Sequence, residues 1–285
     1  MILEQGRVLA RSEIGDLGVV LNIAAPGIAA QARAGQFVHV RPGRRFDPLL
    51  RRPYSFNRID RAAGEIELIV KPLGEGGEWI ASRRPGDDLD LLGPLGSAFV
   101  IQRATKNLLL VAGGTGIAPM RVLAEHESAR RNVTLVMGGR SIQYLWPSRL
   151  LPPTVEYVTT TDDGSFGIRG RVTDALRPLL AWADQLCACG PWPMLAALAR
   201  LAEGRRGRLG VAKLGRKRGG GRADPAGSPA ARRKAFLQVS MEQNMGCAVG
   251  ACLGCVVQTT GGTPQRVCRE GPVFAAGEIA WEAAW

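Results

Sequence analysis

Histidine is scarce in this chain, whose 285 residues include only His39 and His126. The two are isolated from each other in the sequence, and we expect both to be structural. General acid–base catalysis most often uses histidine, supported by a second titratable group. No such dyad is predicted here, and the sequence assigns a catalytic role to no residue.

Long hydrophobic runs are also missing. No stretch of 18 apolar residues occurs, so no membrane span is expected. Residues 1–16 carry five charged side chains and no apolar centre, unlike a signal peptide. Six cysteines in a chain of this length suit a reducing compartment better than a disulfide framework, and a cytoplasmic location is predicted.

Acidic residues are outnumbered, 25 against 37 basic ones, but the excess is local. Residues 205–234 hold eleven Lys/Arg and one acid, and the rest of the chain is close to neutral. Residues 204–234 are also rich in glycine and lack aromatic residues that could stack on bases. We interpret residues 204–234 as a basic insertion or linker and do not expect a nucleic-acid partner.

Four of the six cysteines lie close together near the C-terminus. Cys247, Cys252, Cys255 and Cys268 have the spacing C-x4-C-x2-C-x12-C. This spacing is typical of the [2Fe–2S] site of plant-type ferredoxins, and glycines within the loop allow the backbone to curl around the sulfides. Zinc and a disulfide pair are the alternatives, although zinc sites more usually contain two C-x2-C pairs. Residues 235–285 are therefore predicted to form a [2Fe–2S] domain.

The first hundred residues indicate an antiparallel β-barrel, predicted over residues 1–102. Short alternating or apolar segments are separated by Pro-Gly turn signals at 26–27, 42–43 and 85–86. The predicted strands are Arg7–Ser12, Leu17–Ala24, Gln36–Pro42, Ser55–Asp60, Glu65–Pro72 and Asp88–Leu92. A short helix is predicted at Glu78–Arg83.

Residues 103–203 change to an alternating pattern of strands and helices, which predicts a parallel-sheet nucleotide-binding domain. The predicted strands are Asn107–Ala112, Val133–Met137, Val155–Thr160 and Gln185–Cys189. Helices are predicted to about Arg131 after the first strand, and at Arg171–Trp182 and Pro193–Ala202. A further strand at Ala235–Ser240 leads into the cysteine loop. The fold class is thus multidomain β plus α/β.

Three short motifs carry the chemistry of dinucleotide binding. Arg52-Pro53-Tyr54-Ser55 offers a guanidinium for a diphosphate, an aromatic wall and a hydroxyl for a heteroaromatic edge. Gly113-Gly114-Thr115-Gly116 links a strand to a helix, whose first N–H groups would bind a diphosphate. Cys189-Gly190-Pro191 ends a later strand, so we expect it to face the glycine loop.

The order of these motifs resembles the ferredoxin–NADP reductase superfamily. With the cysteine loop and the following Cys268–Phe274, the chain is more specifically similar to the electron-transfer subunits of class 1B dihydroorotate dehydrogenases. The resemblance implies an FAD-binding barrel, an NAD(H)-binding domain and one [2Fe–2S] cluster held by the four cysteines. It also implies an FMN-containing catalytic partner subunit, in a heterotetramer that reduces NAD+ during pyrimidine biosynthesis.

The resemblance assigns binding roles residue by residue. For FAD, it implies Arg52, Pro53, Tyr54, Ser55, Ile69, Val70, Lys71, Gly76 and Gly77. For the nicotinamide nucleotide, it implies Gly113, Gly114, Thr115, Gly116, Thr160, Asp162, Asp163 and Cys189. Asp162 and Asp163 precede Gly164 and are equally consistent with a plain turn.

Two other functions remain open from the sequence. One is a reductase component that passes electrons from NAD(P)H to an oxygenase, hydrogenase or ferredoxin system. The other is a binding protein with a structural metal and a basic arm.

Overall fold

The computed structural model describes residues 1–43, 47–208, 232 and 235–282, and for residues 205–208 the backbone only. Most of the predicted insertion, residues 204–234, therefore lies outside the described residues. Among the described helices, none has the length and apolarity needed to cross a bilayer.

A closed six-stranded antiparallel barrel forms the N-terminal part. Its strands are β1 (Ile2–Ile14), β2 (Gly18–Ala24), β3 (Phe37–Val40), β4 (Arg52–Asp60), β5 (Glu65–Val70) and β6 (Asp88–Leu95). They pair in the order β1-β2-β5-β4-β3-β6, and β6 returns to β1. All six predicted strands are present, with bounds that differ by a few residues.

Two helices accompany the barrel, α1 (Pro26–Gln31) and α2 (Gly74–Ala81). The predicted helix at Glu78–Arg83 begins four residues later than α2 does. Helix α1 was missed, because Pro26-Gly27 was interpreted as a turn. The Glu4 carboxylate explains α1, because it accepts hydrogen bonds from the N–H groups of Gly27 (3.0 Å) and Ile28 (2.8 Å). This cap comes from a distant strand, and no local signal reveals it.

The second part contains a sheet that begins with strands β7 (Asn107–Gly113), β8 (Asn132–Gly139), β9 (Val155–Thr161), β10 (Ile168–Arg169), β11 (Gln185–Cys189) and β12 (Leu237–Ser240). These strands are all parallel. Strand β7 is buried on both faces, as its leucine-rich sequence requires. Leu108 and Leu110 pack with the barrel and the next helix, while Leu109 packs toward the opposite layer.

Three helices cover the sheet, α3 (Ile117–Glu127), α4 (Leu176–Trp182) and α5 (Trp192–Arg208). The predicted helix at Arg171–Trp182 is divided, because a 3-10 turn at Val172–Ala175 precedes α4. The Asp174 carboxylate closes this turn by accepting from the Arg171 N–H at 2.9 Å.

The C-terminal residues form a small ribbon and then return to the large sheet. The ribbon pairs β13 (Val256–Val257) with β14 (Gln265–Arg266), and β15 (Val273–Ala275) adds to β12 in antiparallel orientation. The complete sheet has the order β10-β9-β8-β7-β11-β12-β15. The domain limits at 102, 203 and 235 stay predictions, and the sheet pairing continues across the last of them.

Candidate functional site

A cleft of about 570 Å³ separates the barrel from the parallel-sheet domain. It is lined by Phe37, Arg52, Pro53, Tyr54, Ser55, Ile69, Lys71, Leu73, Gly77, Thr115, Ala118, Ser240, Met241, Glu242, Gln243, Asn244, Met245 and Pro272. Seven of the nine residues predicted for the flavin lie in this wall, whereas Val70 and Gly76 do not. Thr115, predicted for the nicotinamide nucleotide, lies here instead.

The guanidinium of Arg52 packs against the first turn of α2. A Cβ added at Gly76 would lie 2.8 Å from Arg52 Nη2, so the absence of a side chain at this position provides the space that the guanidinium occupies. Arg52 Nη1 donates to the Leu50 carbonyl at 2.6 Å, and within the described residues no carboxylate pairs with Arg52. A cation beside the N–H groups of a helix start suits an anionic diphosphate.

The wall opposite the helix is aromatic and apolar. Phe37 and Ser55 are paired residues of β3 and β4, and Tyr54 precedes Ser55 on β4. Burial raises the pKa of the Tyr54 hydroxyl to about 12, against the opposing effect of Arg52. The hydroxyl is therefore neutral at physiological pH, and the ring offers a flat apolar face to the cleft.

A second cleft, of about 530 Å³, lies at the carboxyl ends of the parallel strands. It is lined by Lys71, Gly113, Gly114, Gly138, Gly139, Arg140, Tyr144, Thr160, Asp162, Gly170, Arg171, Val172, Thr173, Pro191, Pro193, Met194 and Ala197. Chain order reverses between β7 and β11, and ligands of open α/β sheets bind at such a reversal.

The glycine loop after β7 has one open and one crowded position. Gly114 has φ +55° and no neighbour within 4 Å of an added Cβ, so its backbone is accessible from the cleft. A Cβ on Gly116 would lie 2.2 Å from the Cys189 carbonyl oxygen. Gly116 therefore allows the loop to pack against the end of β11, as the sequence anticipated.

Cys189 lies at the end of β11 but lines neither cleft. Its side chain is 2% exposed, and desolvation together with the charge of Glu242 raises the pKa of the thiol, despite a hydrogen bond with Ser240. The thiol is therefore neutral and packed in the core. Contact between Cys189 and a nicotinamide stays a prediction.

Thr160 and Asp162, both predicted for the nicotinamide nucleotide, line this second cleft. The Thr160 hydroxyl is buried and has no hydrogen-bond partner among the described residues, which fits a site completed by a bound polar group. Asp163 instead accepts from the Ser165 N–H at 2.9 Å, in the turn that was the alternative.

Sequence reasoning missed the aromatic and cationic side of this cleft. Tyr144 lies between two cations, with Lys71 Nζ 5.8 Å and Arg140 Cζ 6.0 Å from its ring centroid. Tyr144 follows β8 by five residues and belongs to no motif, so only the folded chain reveals it. Lys71 lines both clefts and thus connects them.

The cysteine loop places the four predicted ligands in two pairs. The backbone N–H of Cys252 lies 3.3 Å from Cys247 Sγ, and the two thiols are within hydrogen-bonding reach. The N–H of Cys268 lies 3.5 Å from Cys255 Sγ, and these two thiols are likewise in contact. In the part of the chain that the structure describes, no three ligand side chains converge on a single ion. Two pairs of thiols fit two irons better than one tetrahedral zinc.

The backbone of this loop curls at residues other than those expected. Ala248 and Leu253 have φ of 56° and 57°, and Gly250 has φ of 86°. Left-handed conformations at two non-glycine residues cost free energy, and such strain collects at functional sites. The sequence predicted that glycines alone would allow this curl, whereas Ala248 and Leu253 also adopt positive φ.

The thiols of the loop differ in acidity. Desolvation acts to raise the pKa of Cys247, but hydrogen bonds from the backbone of Cys252 and Val249 lower it to about 6. Burial and the neighbouring Cys255 raise the pKa of Cys268 to about 12. One thiol is thus ready as a thiolate ligand, and the other must lose its proton when a metal binds.

The comparisons with known proteins agree with this arrangement. A family model for the iron–sulfur cluster binding domain of dihydroorotate dehydrogenase B matches residues 242–280. The dihydroorotate dehydrogenase B (NAD(+)) electron transfer subunit of Geobacillus thermodenitrificans is 34% identical over 281 residues, which cover 97% of this chain and 98% of that protein. The subunit of the same name from Desulforamulus reducens is 33% identical over 284 residues, 97% of each chain.

Solved structures show the same fold. The structure of an NADH-dependent reduced ferredoxin-NADP oxidoreductase, reported for flavin-based electron bifurcation, matches with a TM-score of 0.76 and 26% identity, over 97% of this chain and 90% of that one. A ferredoxin NADP+ reductase from Neisseria gonorrhoeae, with bound FAD and NADP, matches with a TM-score of 0.58 over 76% of this chain and 94% of that one. At 18% identity, the second likeness concerns the fold alone.

Barrel, parallel sheet and cysteine loop together define an oxidoreductase of the ferredoxin reductase type with an added iron–sulfur domain. The relatives that are 33–34% identical over 97% of this chain identify the family more narrowly. The chain belongs to the family of electron transfer subunits of dihydroorotate dehydrogenase B (NAD(+)).

The predicted fold class, family and electron-transfer function are therefore confirmed. An iron–sulfur domain on a ferredoxin reductase-like fold fits the predicted FAD, [2Fe–2S] cluster and NAD(H). A subunit of this family works with a catalytic partner subunit. The assignment of individual binding residues stays a prediction.

Proposed function

We propose that this chain carries electrons from the FMN of a dihydroorotate-oxidising partner through its [2Fe–2S] cluster and FAD to NAD+. The partner is a separate catalytic subunit, the assembly is a heterotetramer, and the location is the cytoplasm. One observation carries the proposal: Ser240–Met245 lines the flavin cleft and continues directly into the cysteine loop. The cluster ligands thus follow the wall of the flavin cleft without an intervening element.

The flavin residues have distinct roles in this proposal. Arg52, with the first turn of α2 at Gly76 and Gly77, binds the diphosphate. Ile69 and Lys71 contact the flavin from the end of β5, whereas Val70 between them is buried in the core. Pro53 and Tyr54 form the wall along the flavin, and Ser55 donates to the edge of its ring. FAD, when bound, exchanges two electrons as a hydride or one electron at a time, and thereby couples a two-electron carrier to a one-electron cluster.

The nucleotide residues occupy the neighbouring cleft. The N–H groups of Gly113, Gly114, Thr115 and Gly116 bind the diphosphate of NAD(H), and the unpartnered Thr160 hydroxyl donates to the same ligand. Cys189 supports the glycine loop from behind. Because Thr115 lines the flavin cleft while Gly113 and Gly114 line the nucleotide cleft, one loop serves both cofactors.

The four cysteines hold the cluster as two pairs, Cys247 with Cys252 and Cys255 with Cys268. Their role is to bind and orient the two irons, and Cys252 is exposed at the outer edge. No residue of this chain needs to abstract a proton from dihydroorotate, because that chemistry belongs to the partner. This agrees with the absence of an acid/base dyad from the sequence.

The exposed edge of the cluster loop is the side that faces the partner in this proposal. Leu253 is 61% exposed and Val249 38%, so two apolar side chains are accessible beside the exposed Cys252. Val273 and Phe274, which follow the last cysteine, are fully buried in the core. The docking surface therefore contains Val249 and Leu253 but not Val273 or Phe274.

Co-expression with the FMN subunit of the same organism tests the proposal. The expected result is co-purification of both chains with FAD, iron and sulfide, and dihydroorotate-dependent reduction of NAD+. Omission of this chain should abolish NAD+ reduction but leave reduction of an artificial dye by the FMN subunit. Failure of the pair to reduce NAD+, with all cofactors present, would contradict the proposed function.

One observation favours a second candidate, a reductase that takes electrons from NADH and delivers them to another carrier. One solved structure that matches over 97% of this chain, at 26% identity, is an NADH-dependent reduced ferredoxin-NADP oxidoreductase. NADH-dependent ferredoxin reduction by the isolated chain, without activity toward dihydroorotate in any complex, would favour this candidate.

A further inference from the structure

Arg266 forms an ion pair with Glu270 around Cys268 and also contacts the segment that carries Cys247 and Cys252. Arg266 ends the ribbon strand β14, two residues before Cys268, and Glu270 follows two residues after it. Both side chains are about one quarter exposed, so the pair is partly shielded from water. No sequence motif singled out Arg266.

Arg266 uses most of its donors in this small region. Its Nη1 donates to the Gly250 carbonyl at 2.8 Å, and its Nε donates to Glu270 Oε2 at 2.9 Å. Nη2 donates to Glu270 Oε1, which completes a two-point contact with the carboxylate. The Arg266 N–H also donates to Glu270 Oε2 at 2.9 Å, so that the carboxylate closes the turn around Cys268.

These contacts connect the two pairs of thiols. Gly250 lies between Cys247 and Cys252, whereas Arg266 lies beside Cys268 in sequence. The backbone of Val267 donates to the Cys255 carbonyl at 2.8 Å and holds the second pair together. The Arg266–Gly250 bond is therefore a direct side-chain tie between the loop of the first pair and the turn of the second.

We propose that Arg266 and Glu270 are positioning residues for the iron–sulfur cluster: the pair fixes the distance between the two cysteine segments and sets the cluster's reduction potential. This inference rests on the proposed function only in assuming a [2Fe–2S] cluster at the four cysteines. It does not depend on the partner, on NAD+ or on the direction of electron flow.

The electrostatic part has a definite sign. Reduction adds one negative charge to a cluster that four thiolates already make anionic, so a nearby cation favours the reduced form and a nearby anion opposes it. Loss of Arg266 leaves the Glu270 carboxylate unpaired and lowers the potential. Loss of the Glu270 charge leaves Arg266 unpaired and raises it.

Four variants of the full chain separate charge from geometry, each loaded anaerobically with iron and sulfide. R266Q should lower the midpoint potential and E270Q should raise it, and R266Q/E270Q should return close to the parent value. R266K keeps the charge but loses the two-point contact, so its potential should stay near the parent value. Redox titration followed by visible circular dichroism measures all four.

Cluster retention reports the geometric part. In the presence of a chelator, R266K and R266Q should both lose iron roughly three- to ten-fold faster, the effect expected from losing about one net hydrogen bond. R130Q is the control, since Arg130 is exposed and lies just before β8, at the end of the parallel strands opposite the cysteine loop that follows β12. It should shift the potential by less than a third of the R266Q shift.

Shifts of the same sign in R266Q and E270Q, or no shift in either, would overturn the proposed control of potential. Iron loss from R266K at the parent rate would overturn the positioning role. A parent chain that takes up no cluster would instead refute the proposed function, and the two failures are therefore distinguishable.

Discussion

The cysteine loop and the two clefts differ in how their residues are distributed along the sequence. All four cysteines lie within one segment, Cys247–Cys268, whose own contacts include a two-stranded ribbon and the Arg266–Gly250 hydrogen bond. The clefts instead collect residues from the barrel, the glycine loop, the ends of four parallel strands and the segment before the cysteines. A site that is local in sequence depends on particular side chains, and a site built from distant strand ends depends on backbone packing.

The largest effect should come from removing one ligand of the local site. Cys252→Ser is expected to abolish assembly of the cluster while FAD remains bound, because the flavin wall uses other elements. Iron and sulfide analysis together with the flavin spectrum measures both. Leu253→Ala is the control, since this exposed neighbour should leave the iron content unchanged. Loss of FAD along with the cluster would show that the two sites are not separable.

The clefts should be most sensitive to a change in the backbone. Gly116→Ala places a methyl group 2.2 Å from the Cys189 carbonyl, and neither backbone can move freely. We expect a loss of about 1–3 kcal/mol in unfolding free energy and weaker binding of NADH. Urea unfolding and NADH titration measure these, with Gly277→Ala as a control at a glycine that has no neighbour within 4 Å. An unchanged midpoint would contradict the close packing.

A single side chain in the clefts should have a smaller effect. Lys71→Met removes the cation that lines both clefts, and the NADH dissociation constant should rise about ten-fold, as expected for one lost charged hydrogen bond. FAD content should fall less. Lys106→Met, at an exposed lysine away from both clefts, is the control. Equal effects of the two substitutions would point to net charge rather than to the site.

The smallest effect is expected at His39, which is paired with Pro53 in the barrel. His39 is 1% exposed, its ring nitrogens have no partners among the described residues, and burial, with Arg51, lowers its pKa to about 4. The folded state thus disfavours the protonated imidazole. The contribution of His39 to the free energy of unfolding is therefore complete above pH 6.5 and is lost as the pH falls toward 4. We expect a loss of about 1 kcal/mol between pH 6 and pH 5.

His39→Gln should remove that part of the pH dependence. The check is the slope of unfolding free energy against pH, compared with His126→Gln, whose residue is less buried. An identical slope in His39→Gln and the parent chain would contradict the assignment.

Much of the fold could be predicted because periodicity is a local property. The barrel strands and the buried β7 follow from alternating or continuous apolar segments, and the cysteine spacing from the geometry of a cluster. Helix α1 could not be predicted, since its cap is Glu4 on another strand. Tyr144, Thr115 in the flavin cleft and the Arg266–Glu270 pair were likewise hidden, because their roles depend on which distant segments become neighbours.

By itself, the sequence determined which chemistry this protein carries: four thiolates at cluster spacing, an arginine–tyrosine–serine strand and a glycine loop between a strand and a helix. The tertiary structure alone decided that Ser240–Met245 lines the cleft beside the barrel and that Lys71 lines both clefts. The physical reason is that the type and spacing of ligand residues are local properties of the sequence. Adjacency between clefts arises only when sheet order brings strand ends together.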